Sequence, residues 1–294
     1  MQIENLTKQT SVLTTQFANV GIFFLNEKEV ILIDTGHIHE ALDLCQYFQS
    51  NNLTVVGIIN THGHIDHVGA NFKLQEIYHC QIAMPYVDHI FCEDISRYYM
   101  SFSTSVVGGL SVYGHGTFNI DHLIGENETS FEFCGIRFEC IGLKGHTFNQ
   151  KGIVTPDGVC FVGDSLIHMN VLEKVKFPVV TNIEWHFETL NLLKRLDYHT
   201  YVLGHGPVIA TLGQTIESNV KYFHQKIEEV ALLIQKVSQF DEIMYELNKV
   251  YNIRKNIFKY FVAERTIRAI LSYLEQEERI QIKIEQGVMV YKPL

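Results

Sequence analysis

Short apolar runs separated by polar turns dominate the first part of the chain, and they predict β-strands. The strands are predicted at 11–16, 20–25, 29–33, 53–60, 81–84, 137–143, 152–155, 159–163 and 200–203, with a hairpin turn at Cys134–Gly135. Apolar residues at helical spacing predict helices at 39–50, from Ala70 onward, and near 183–195. The pattern therefore predicts a sheet-rich first part with helices between the strands.

The pattern changes at residue 214, where helical spacing replaces the strand rhythm. Three amphipathic helices and a closing hairpin with a Gly turn follow. The helices are predicted at 214–236, 240–250 and 257–277, and the hairpin arms at 280–285 and 288–291. Helix, helix and hairpin in this order resemble a small winged-helix unit. We therefore predict two domains, at 1–213 and 214–294.

Residues 86–125 interrupt the strand rhythm with aromatic side chains scattered among Ser, Gly and His. An irregular insertion of this length is typical of a lid or a pocket wall. A helical excursion packed on the surface is the alternative, and the local sequence leaves both open. His115 and His122 within the insertion are expected to be ordinary surface or lid residues.

The composition is that of a globular chain with a buried core. Hydrophobic residues make up 46% of the 294 residues and charged residues 19%, so disorder is not expected. The N-terminus lacks the features of a signal peptide, and no apolar stretch approaches the length of a membrane span. The six cysteines are scattered without a C-x-x-C pair, which is typical of reduced thiols. We predict a cytoplasmic protein without a membrane partner.

The net charge of −10 is unevenly distributed along the chain. Residues 214–294 hold 12 Lys and Arg against 11 Asp and Glu (+1), which leaves 11 against 22 (−11) for residues 1–213. A strongly acidic body disfavours a polyanionic substrate such as nucleic acid. A tail of +1 also lacks the basic surface of a DNA-binding module. We expect the tail to pack on the rest of the chain, to wall a pocket or to mediate a homodimer.

Metal-competent side chains follow four of the predicted strands. The run Thr61–Gly69 places His62, His64, Asp66 and His67 directly after a buried strand. Three further strands end close to one such residue each, namely His146, Asp164 and His205. Strand ends at one edge of a sheet converge, so these side chains can meet although they are distant in sequence. Five His and two Asp suffice for two divalent ions that share a carboxylate and a water.

This ordered set of residues resembles the metallo-β-lactamase superfamily over about residues 10–210, and Asp34 in Ile33–Gly36 resembles the family's early Asp loop. The resemblance implies an α+β fold, a four-layer αββα sandwich with the metals between the sheet edges, followed by the winged-helix-like tail. It implies two zinc ions, although iron or manganese is an alternative because ligands alone do not identify a metal. The implied assignments are site one at His62, His64 and His146, site two at Asp66, His67 and His205, and Asp164 as the bridge. Asp34 ends an early strand away from the four ligand-bearing ends, so we expect it to support the site or brace its loop without binding metal.

Two departures from the family pattern concern the substrate. Phe148–Gln150 replace a small residue and Gly-Ser that many hydrolase members carry after the metal-binding His. Asp164 stands where zinc β-lactamases of the commonest type have Cys, so antibiotic hydrolysis is disfavoured. Lys144 could offer a cation to a substrate carboxylate, but a surface Lys is the expected interpretation. No substrate-binding residue is otherwise assigned.

The leading hypothesis is a dinuclear zinc hydrolase that uses a metal-bridging hydroxide on a small thioester, ester or lactone, as in glyoxalase II. Asp66 would orient the attacking water or pass on its proton. A metal-dependent ribonuclease or phosphodiesterase is an alternative, supported by the basic tail residues Arg254, Lys255, Lys259, Arg265 and Arg268. A mononuclear iron persulfide dioxygenase and a metal sensor with a DNA-binding tail are further alternatives.

Overall fold

Two β-sheets lie face to face in the computed structural model, which describes residues 1–94, 97, 116–253 and 257–294. The first sheet has seven strands in the order of the chain, antiparallel from β1 to β4 and parallel from β4 to β7. They are β1 (Gln2–Asn5), β2 (Thr10–Thr14), β3 (Asn19–Phe24), β4 (Glu29–Ile33), β5 (Thr54–Ile59), β6 (Gln81–Pro85) and β7 (His122–Ile124).

The second sheet has six strands in the order β13-β12-β11-β10-β9-β8. Its β11 and β12 run parallel and its other pairs antiparallel. The strands are β8 (Ser130–Phe133), β9 (Ile136–Gly142), β10 (Lys151–Val154), β11 (Val159–Gly163), β12 (Thr200–Leu203) and β13 (Val208–Ile209). β14 (Ile280–Glu285) and β15 (Val288–Pro293) form a separate hairpin.

Helices cover the outer faces of both sheets. They are α1 (Ala41–Ser50), α2 (Ile65–Val68), α3 (Asn71–Tyr78), α4 (Tyr86–Cys92), α5 (Met169–Val175), α6 (Ile183–Leu193), α7 (Gly213–Ile234), α8 (Phe240–Tyr251) and α9 (Ile257–Gln276). A 3₁₀ turn at Ile38–Glu40 precedes α1. No helix within the described ranges is both long and apolar enough to span a membrane.

Alternation along the central strands divides the apolar residues between two layers. In β4, Ile31 and Ile33 pack between the sheets, while Val30 and Leu32 face α1 and α3. β11 divides its residues in the same way between the intersheet core and the helical layer of α6 and α7. Strands buried on both faces have continuous apolar sequences, which explains the unbroken runs. Helix, sheet, sheet and helix form the four layers, which confirms the predicted α+β sandwich.

The C-terminal helices and hairpin occur as predicted, within about one residue at most ends, with the hairpin's second arm longer. They share one apolar cluster with earlier residues, among them Leu172, Phe177 and Ile183. Thr266 links α9 to the loop between α5 and α6. Its hydroxyl donates to Pro178 O at 2.6 Å and accepts from Val180 N–H at 3.1 Å. The tail thus packs on the rest of the chain, while the boundary at 213 and the winged-helix likeness stay predictions.

Four local features differ from the sequence expectations. The start of the 86–125 insertion is the regular helix α4, and its end is strand β7 at the edge of the first sheet. His122 lies in β7, where its ring stacks on Phe131 at 5.2 Å, so it belongs to the sandwich instead of a lid. His115 and the centre of the predicted lid fall outside the described residues. β1 and α5 were not predicted, because exposed β1 and short α5 lack a clear apolar period.

Candidate metal centre

The four predicted strand ends meet at one edge of the sandwich. His62 and His64 follow β5, and Asp66 and His67 lie in the short helix α2, which the sequence reasoning did not predict. His146, Asp164 and His205 come after β9, β11 and β12 of the facing sheet. Because both sheets present these strand ends on the same side, residues up to 143 positions apart in sequence become neighbours.

Three imidazoles form what we call the inner group: His62, His64 and His146. One ligand atom from each lies within 4.8 Å of the others. His64 Nδ1 and His146 Nε2 are 2.8 Å apart. The side chains of His62 and His146 are buried, with at most 3% of their surface exposed. The inner group is therefore a deep site made only of nitrogen ligands.

Asp66, His67 and His205 form a second set, here called the acidic group. Their ligand atoms also lie within 4.8 Å of one another, and His205 Nε2 is 3.4 Å from Asp66 Oδ2. His67 is fully buried, whereas the side chains of Asp66 and His205 are 33% and 20% exposed. The acidic group is thus the part of the centre that opens to solvent.

Asp164 lies between the two groups. Its Oδ2 is 3.6 Å from His146 Nε2 and 3.2 Å from His205 Nε2, and its Oδ1 is 3.4 Å from His67 Nε2. Gly204 makes this placement possible, because a Cβ at that position would lie 2.0 Å from Asp164 Oδ1. One carboxylate therefore contacts ligand atoms of both groups.

Asp34 supports the acidic group from behind. Its Oδ2 accepts hydrogen bonds from His67 Nδ1 at 2.8 Å and from the Thr61 hydroxyl at 2.7 Å, and its Oδ1 accepts from Thr61 N–H at 2.8 Å. The Thr61 oxygen is in turn 3.0 Å from His62 Nδ1. Asp34 adopts φ +59°, a conformation uncommon outside Gly, which orients its carboxylate toward His67. A third set, Asp34, His62 and His67, also falls within 4.8 Å, but Asp34 is occupied by these hydrogen bonds.

Backbone carbonyls orient two more imidazoles. His146 Nδ1 lies 2.7 Å from Val179 O, and His205 Nδ1 lies 2.6 Å from Phe17 O. A carbonyl only accepts, so each Nδ1 carries a proton, which leaves each Nε2 as the atom that can offer its lone pair to a metal ion. Such outer partners fix the tautomer and ring orientation of metal-binding His residues.

Without a metal ion, the electrostatics of the two groups differ. Burial lowers the pKa of His62 and His64 well below the usual value, so both imidazoles are neutral at pH 7. Burial opposes a charge on His67 as well, but Asp164 and Asp34 outweigh it and raise its pKa to about 10. The carboxylates thus favour positive charge at the acidic group, which a proton or a metal ion can supply.

Several buried polar atoms at the centre fit a metal ion. Within the part of the chain that the structure describes, His62 Nε2, His67 Nε2 and Asp164 Oδ1 make no hydrogen bond of normal geometry, although the last two atoms are 3.4 Å apart as an ion pair. Leaving a buried polar atom without a partner costs about 1–3 kcal/mol, and these three point into one space. Imidazole nitrogens with carboxylate oxygens are the donors that zinc and other transition metals prefer. The residues present therefore fit divalent metal ions.

A groove runs beside the inner group from His64 to the C-terminal helix. Val87, Phe91 and Phe148 give the groove an apolar lining, and Arg265 of α9 also lines it. Arg265 is close enough for its charge to contribute to the lowered pKa of His64, after burial and His146. Nothing in the local sequence placed Arg265 here, because the tail reaches the groove only through tertiary packing.

Asp88 is a second functional candidate that the sequence reasoning missed. It is buried under the groove, where Oδ1 accepts from Gly63 N–H at 3.0 Å and Oδ2 accepts from the Thr147 hydroxyl at 3.3 Å. It therefore joins the His62–His64 segment to the residue after His146. Lys144, considered as a cation for substrate, lies at the surface 3.5 Å from Glu188, as expected.

Comparisons with known proteins agree with this geometry. A family model described as the metallo-beta-lactamase superfamily matches residues 13–205. Hydroxyacylglutathione hydrolase GloC of Haemophilus influenzae is 27% identical over 209 residues, which are 68% of this chain and 91% of that protein.

Two solved structures share the fold over almost the whole chain. A metallo-beta-lactamase family protein of Thermus thermophilus has a TM-score of 0.74 at 19% identity and covers 99% of this chain and 100% of its own. A beta-lactamase domain protein of Burkholderia ambifaria has a TM-score of 0.72 at 14% identity, covering 99% and 93%. The fold likeness therefore extends through the C-terminal helices and hairpin.

Proposed function

Since the chain belongs to the metallo-beta-lactamase superfamily and is a metal-dependent hydrolase, we propose that it cleaves a small thioester, ester or lactone with two zinc ions. One observation carries the proposal: two separate three-ligand groups lie on either side of Asp164, which contacts both. A thioester is the preferred substrate because the Haemophilus influenzae relative is named for an acyl group on glutathione.

The protein's residues divide the work of hydrolysis between them. Bound zinc would lower the pKa of a coordinated water to about 7 and would polarise the substrate carbonyl. His62, His64 and His146 would hold one ion, Asp66, His67 and His205 would hold the other, and Asp164 is placed to contact both. Asp66 is the partly exposed carboxylate of the set, and its place beside His205 suits it to orient the attacking water and accept its proton.

The substrate would reach the metal centre through the groove beside His64. The apolar wall of Val87, Phe91 and Phe148 can cover a short carbon chain, while His64 marks the end at which the reacting carbonyl would lie. Phe148, which departs from the family pattern, has 52% of its surface exposed at this wall. A small substrate with an apolar segment fits this lining.

Nucleic acid is the less favoured substrate, because several of the tail's described cations pair with neighbouring carboxylates. Arg268 pairs with Glu264 at 2.9 Å, and Arg279 pairs with Glu228 at 2.7 Å. A full-length gel shift with duplex DNA and RNA at physiological salt checks this, and we expect no submicromolar binding. A salt-sensitive submicromolar shift would instead support the phosphodiesterase hypothesis.

Metal analysis with a substrate panel tests the proposed function. We expect about two transition-metal ions per chain and turnover of thioester or lactone in preference to bis-nitrophenyl phosphate. His146→Ala should abolish turnover, and Lys144→Gln, which changes a surface residue, should not. One iron per chain with oxygen uptake on glutathione persulfide would overturn the hydrolase proposal in favour of a dioxygenase.

A further inference from the structure

The loop that carries His205 follows a strand of the second sheet but is held by a residue of the first sheet. The side-chain amide of Asn19 donates from Nδ2 to Leu203 O at 2.8 Å and to Gly206 O at 2.9 Å, on either side of His205. The Asn19 N–H donates to Gly204 O at 2.8 Å. Asn19 begins β3 and is buried, so three hydrogen bonds from one residue join the first sheet to this loop.

The ring of His205 is held from the same side. Its Nδ1–H donates to Phe17 O at 2.6 Å, in the loop that leads into β3. Glu40 anchors this loop, because its carboxylate accepts from the Thr15 hydroxyl at 2.8 Å and from Gln16 N–H at 2.7 Å. The first sheet and its connections therefore fix both the backbone and the imidazole of this ligand.

Gly204 extends the same constraint to the carboxylate between the two groups. Its N–H donates to Gly163 O at 2.8 Å, directly before Asp164. A Cβ at position 204 would lie 2.0 Å from Asp164 Oδ1, so the loop packs closely on that carboxylate. With Asn19 on its other side, the loop has little freedom to move. A displacement would change the positions of His205 and Asp164 together.

The other two ligands of the acidic group, Asp66 and His67, lie in α2 and follow a strand of the first sheet. The acidic group is thus assembled from both sheets, and its geometry depends on how their edges are joined. We propose that Asn19 is a positioning residue that sets the distance of His205 from Asp66 and His67, and thereby the affinity of this group for a metal ion. The inference rests on the proposed two-ion function. Ligands that are already held in place lose less conformational entropy when they bind.

Calorimetric titration of the metal-free, full-length protein with Zn²⁺ tests the proposal. Asn19→Leu replaces the amide by an apolar side chain of similar size and removes both side-chain donors. We expect the affinity for one Zn²⁺ to fall by about 10-fold or more, as is usual when a supporting partner of a ligand is lost. The affinity for the other Zn²⁺ should stay that of the unmodified protein, because the inner group takes no ligand from this loop.

Asn219→Leu is the matched control for the loss of buried hydrogen bonds. Asn219 is fully buried, and its Nδ2 also donates to two backbone carbonyls, Ile167 O at 2.7 Å and Thr215 O at 2.8 Å. These bonds join α7 to the segment before α5 instead of the loop of His205. Thermal unfolding should show that both variants lose stability, whereas only Asn19→Leu should lose Zn²⁺ affinity. Asn19→Ser, which keeps one hydroxyl donor, carries the test if Asn19→Leu does not fold.

Hydrogen exchange of the metal-free protein supplies a readout that does not depend on bound metal. Without the Asn19 side-chain bonds, the backbone amides of residues 203–206 should open more often and exchange faster. Asn219→Leu should leave the exchange of these amides unchanged. Mass spectrometry of peptides that cover residues 203–206 measures both rates.

The outcomes separate the role of Asn19 from the proposed function. Equal losses of Zn²⁺ affinity in Asn19→Leu and Asn219→Leu would overturn the positioning role, because general instability would then be the cause. Unchanged affinities in Asn19→Leu would overturn it as well. Binding of a single Zn²⁺ by the unmodified protein would contradict the two-ion function instead. In that case, faster exchange of residues 203–206 in Asn19→Leu alone would still support the positioning of His205 by Asn19, and unchanged exchange would overturn it.

Discussion

The inner and acidic groups of the metal centre use the same residue type in different surroundings. The inner group consists of two buried imidazoles and the half-buried His64, and desolvation lowers the pKa values of all three. In the acidic group, Asp164 overcomes burial and raises the pKa values of His67 and His205. Neutral nitrogen donors can bind a cation directly, whereas in the acidic group a metal ion would replace the protons that the carboxylates hold on His67 and His205.

The two groups are also supported differently. Asp34 contacts a ligand of the acidic group directly, through His67 Nδ1. Asp88 supports the inner group indirectly: it contacts none of the three ligands but accepts hydrogen bonds from the neighbouring Gly63 N–H and Thr147 hydroxyl. We therefore expect the acidic group to depend on individual carboxylates and the inner group to depend on the packing of the sandwich. Four predictions test this difference, beginning with the carboxylate common to both groups.

Asp164→Asn should have the largest effect, because it removes the one charge that both groups contact. Two dications about 3.5–4 Å apart repel each other, and a neutral amide screens that repulsion less than a carboxylate. We expect loss of metal from at least one site and a fall in kcat by orders of magnitude, measured by elemental analysis and steady-state kinetics. Asp157→Asn is the control, because it makes the same change in the turn before β11, at the other end of the strand from Asp164. Full metal content with near-normal activity would show that Asp164 is not the bridge.

Asp34→Asn should act chiefly on the acidic group, because Asp34 contacts His67 directly and reaches His62 only through Thr61. Asn also tolerates the φ of +59° at this position, so the substitution changes the hydrogen bonds with little change in backbone strain. Loss of such a supporting partner typically costs about 10- to 100-fold in metal affinity or activity. Metal titration should therefore show one weakened site and one unchanged site. Asp43→Asn, an exposed change on α1, provides the baseline, and equal weakening of both sites would contradict the comparison.

The convergence of these side chains could be predicted from the sequence because the information for it is local. Each strand is an apolar run, and the ligands follow directly after the run, as at His62–His67, or shortly after it ends. Once the runs are assigned to sheets, the geometry of sheet edges brings the ligands together. Asp34 was assigned a supporting role because its strand was expected to end away from the four ligand-bearing ends, whereas Asp34 in fact follows β4 at the same edge and contacts His67.

Features that depend on tertiary packing could not be predicted. Arg265 lies in a helix whose sequence gives no sign that it faces the groove, and Thr266 fixes it there through contacts 86 and 88 residues away. The supporting role of Asp88 could not be predicted for the same reason, because its hydrogen-bond partners lie 25 and 59 positions away in sequence. Helix α2 was missed because four residues are too few to show a period.

A chelator should remove metal from the two groups at different rates. Asp66 and His205 are partly exposed, whereas His62 is fully buried, so a chelator should reach the acidic group first. We expect extraction in two phases that differ in rate by about 10-fold, as ligand exposure controls local access. His205→Ala should lose the fast phase and keep the slow one, measured with a colorimetric chelator. A single phase in the unmodified protein would mean that the two ions leave as a unit.

Asp88→Asn should have the smallest effect, and it should appear in stability instead of metal content. Burial raises the pKa of Asp88 from its usual 3.8 to about 6 in the metal-free protein, despite the hydrogen bonds from Gly63 and Thr147. The pKa of Asp88 is higher in the folded than in the unfolded protein. The protonated Asp88 carboxyl therefore contributes its full stabilisation below pH 3.8, and this stabilisation is lost as the pH rises through about 6. The variant, which cannot ionise here, should therefore gain about 1–3 kcal/mol of unfolding free energy over the metal-free parent between about pH 4 and 7. Urea unfolding at pH 4, 5, 6 and 7 measures this difference, with Asp43→Asn as the control for one lost charge. A difference that does not grow with pH would mean that Asp88 is ionised without penalty, and that the inner group also depends on a charge.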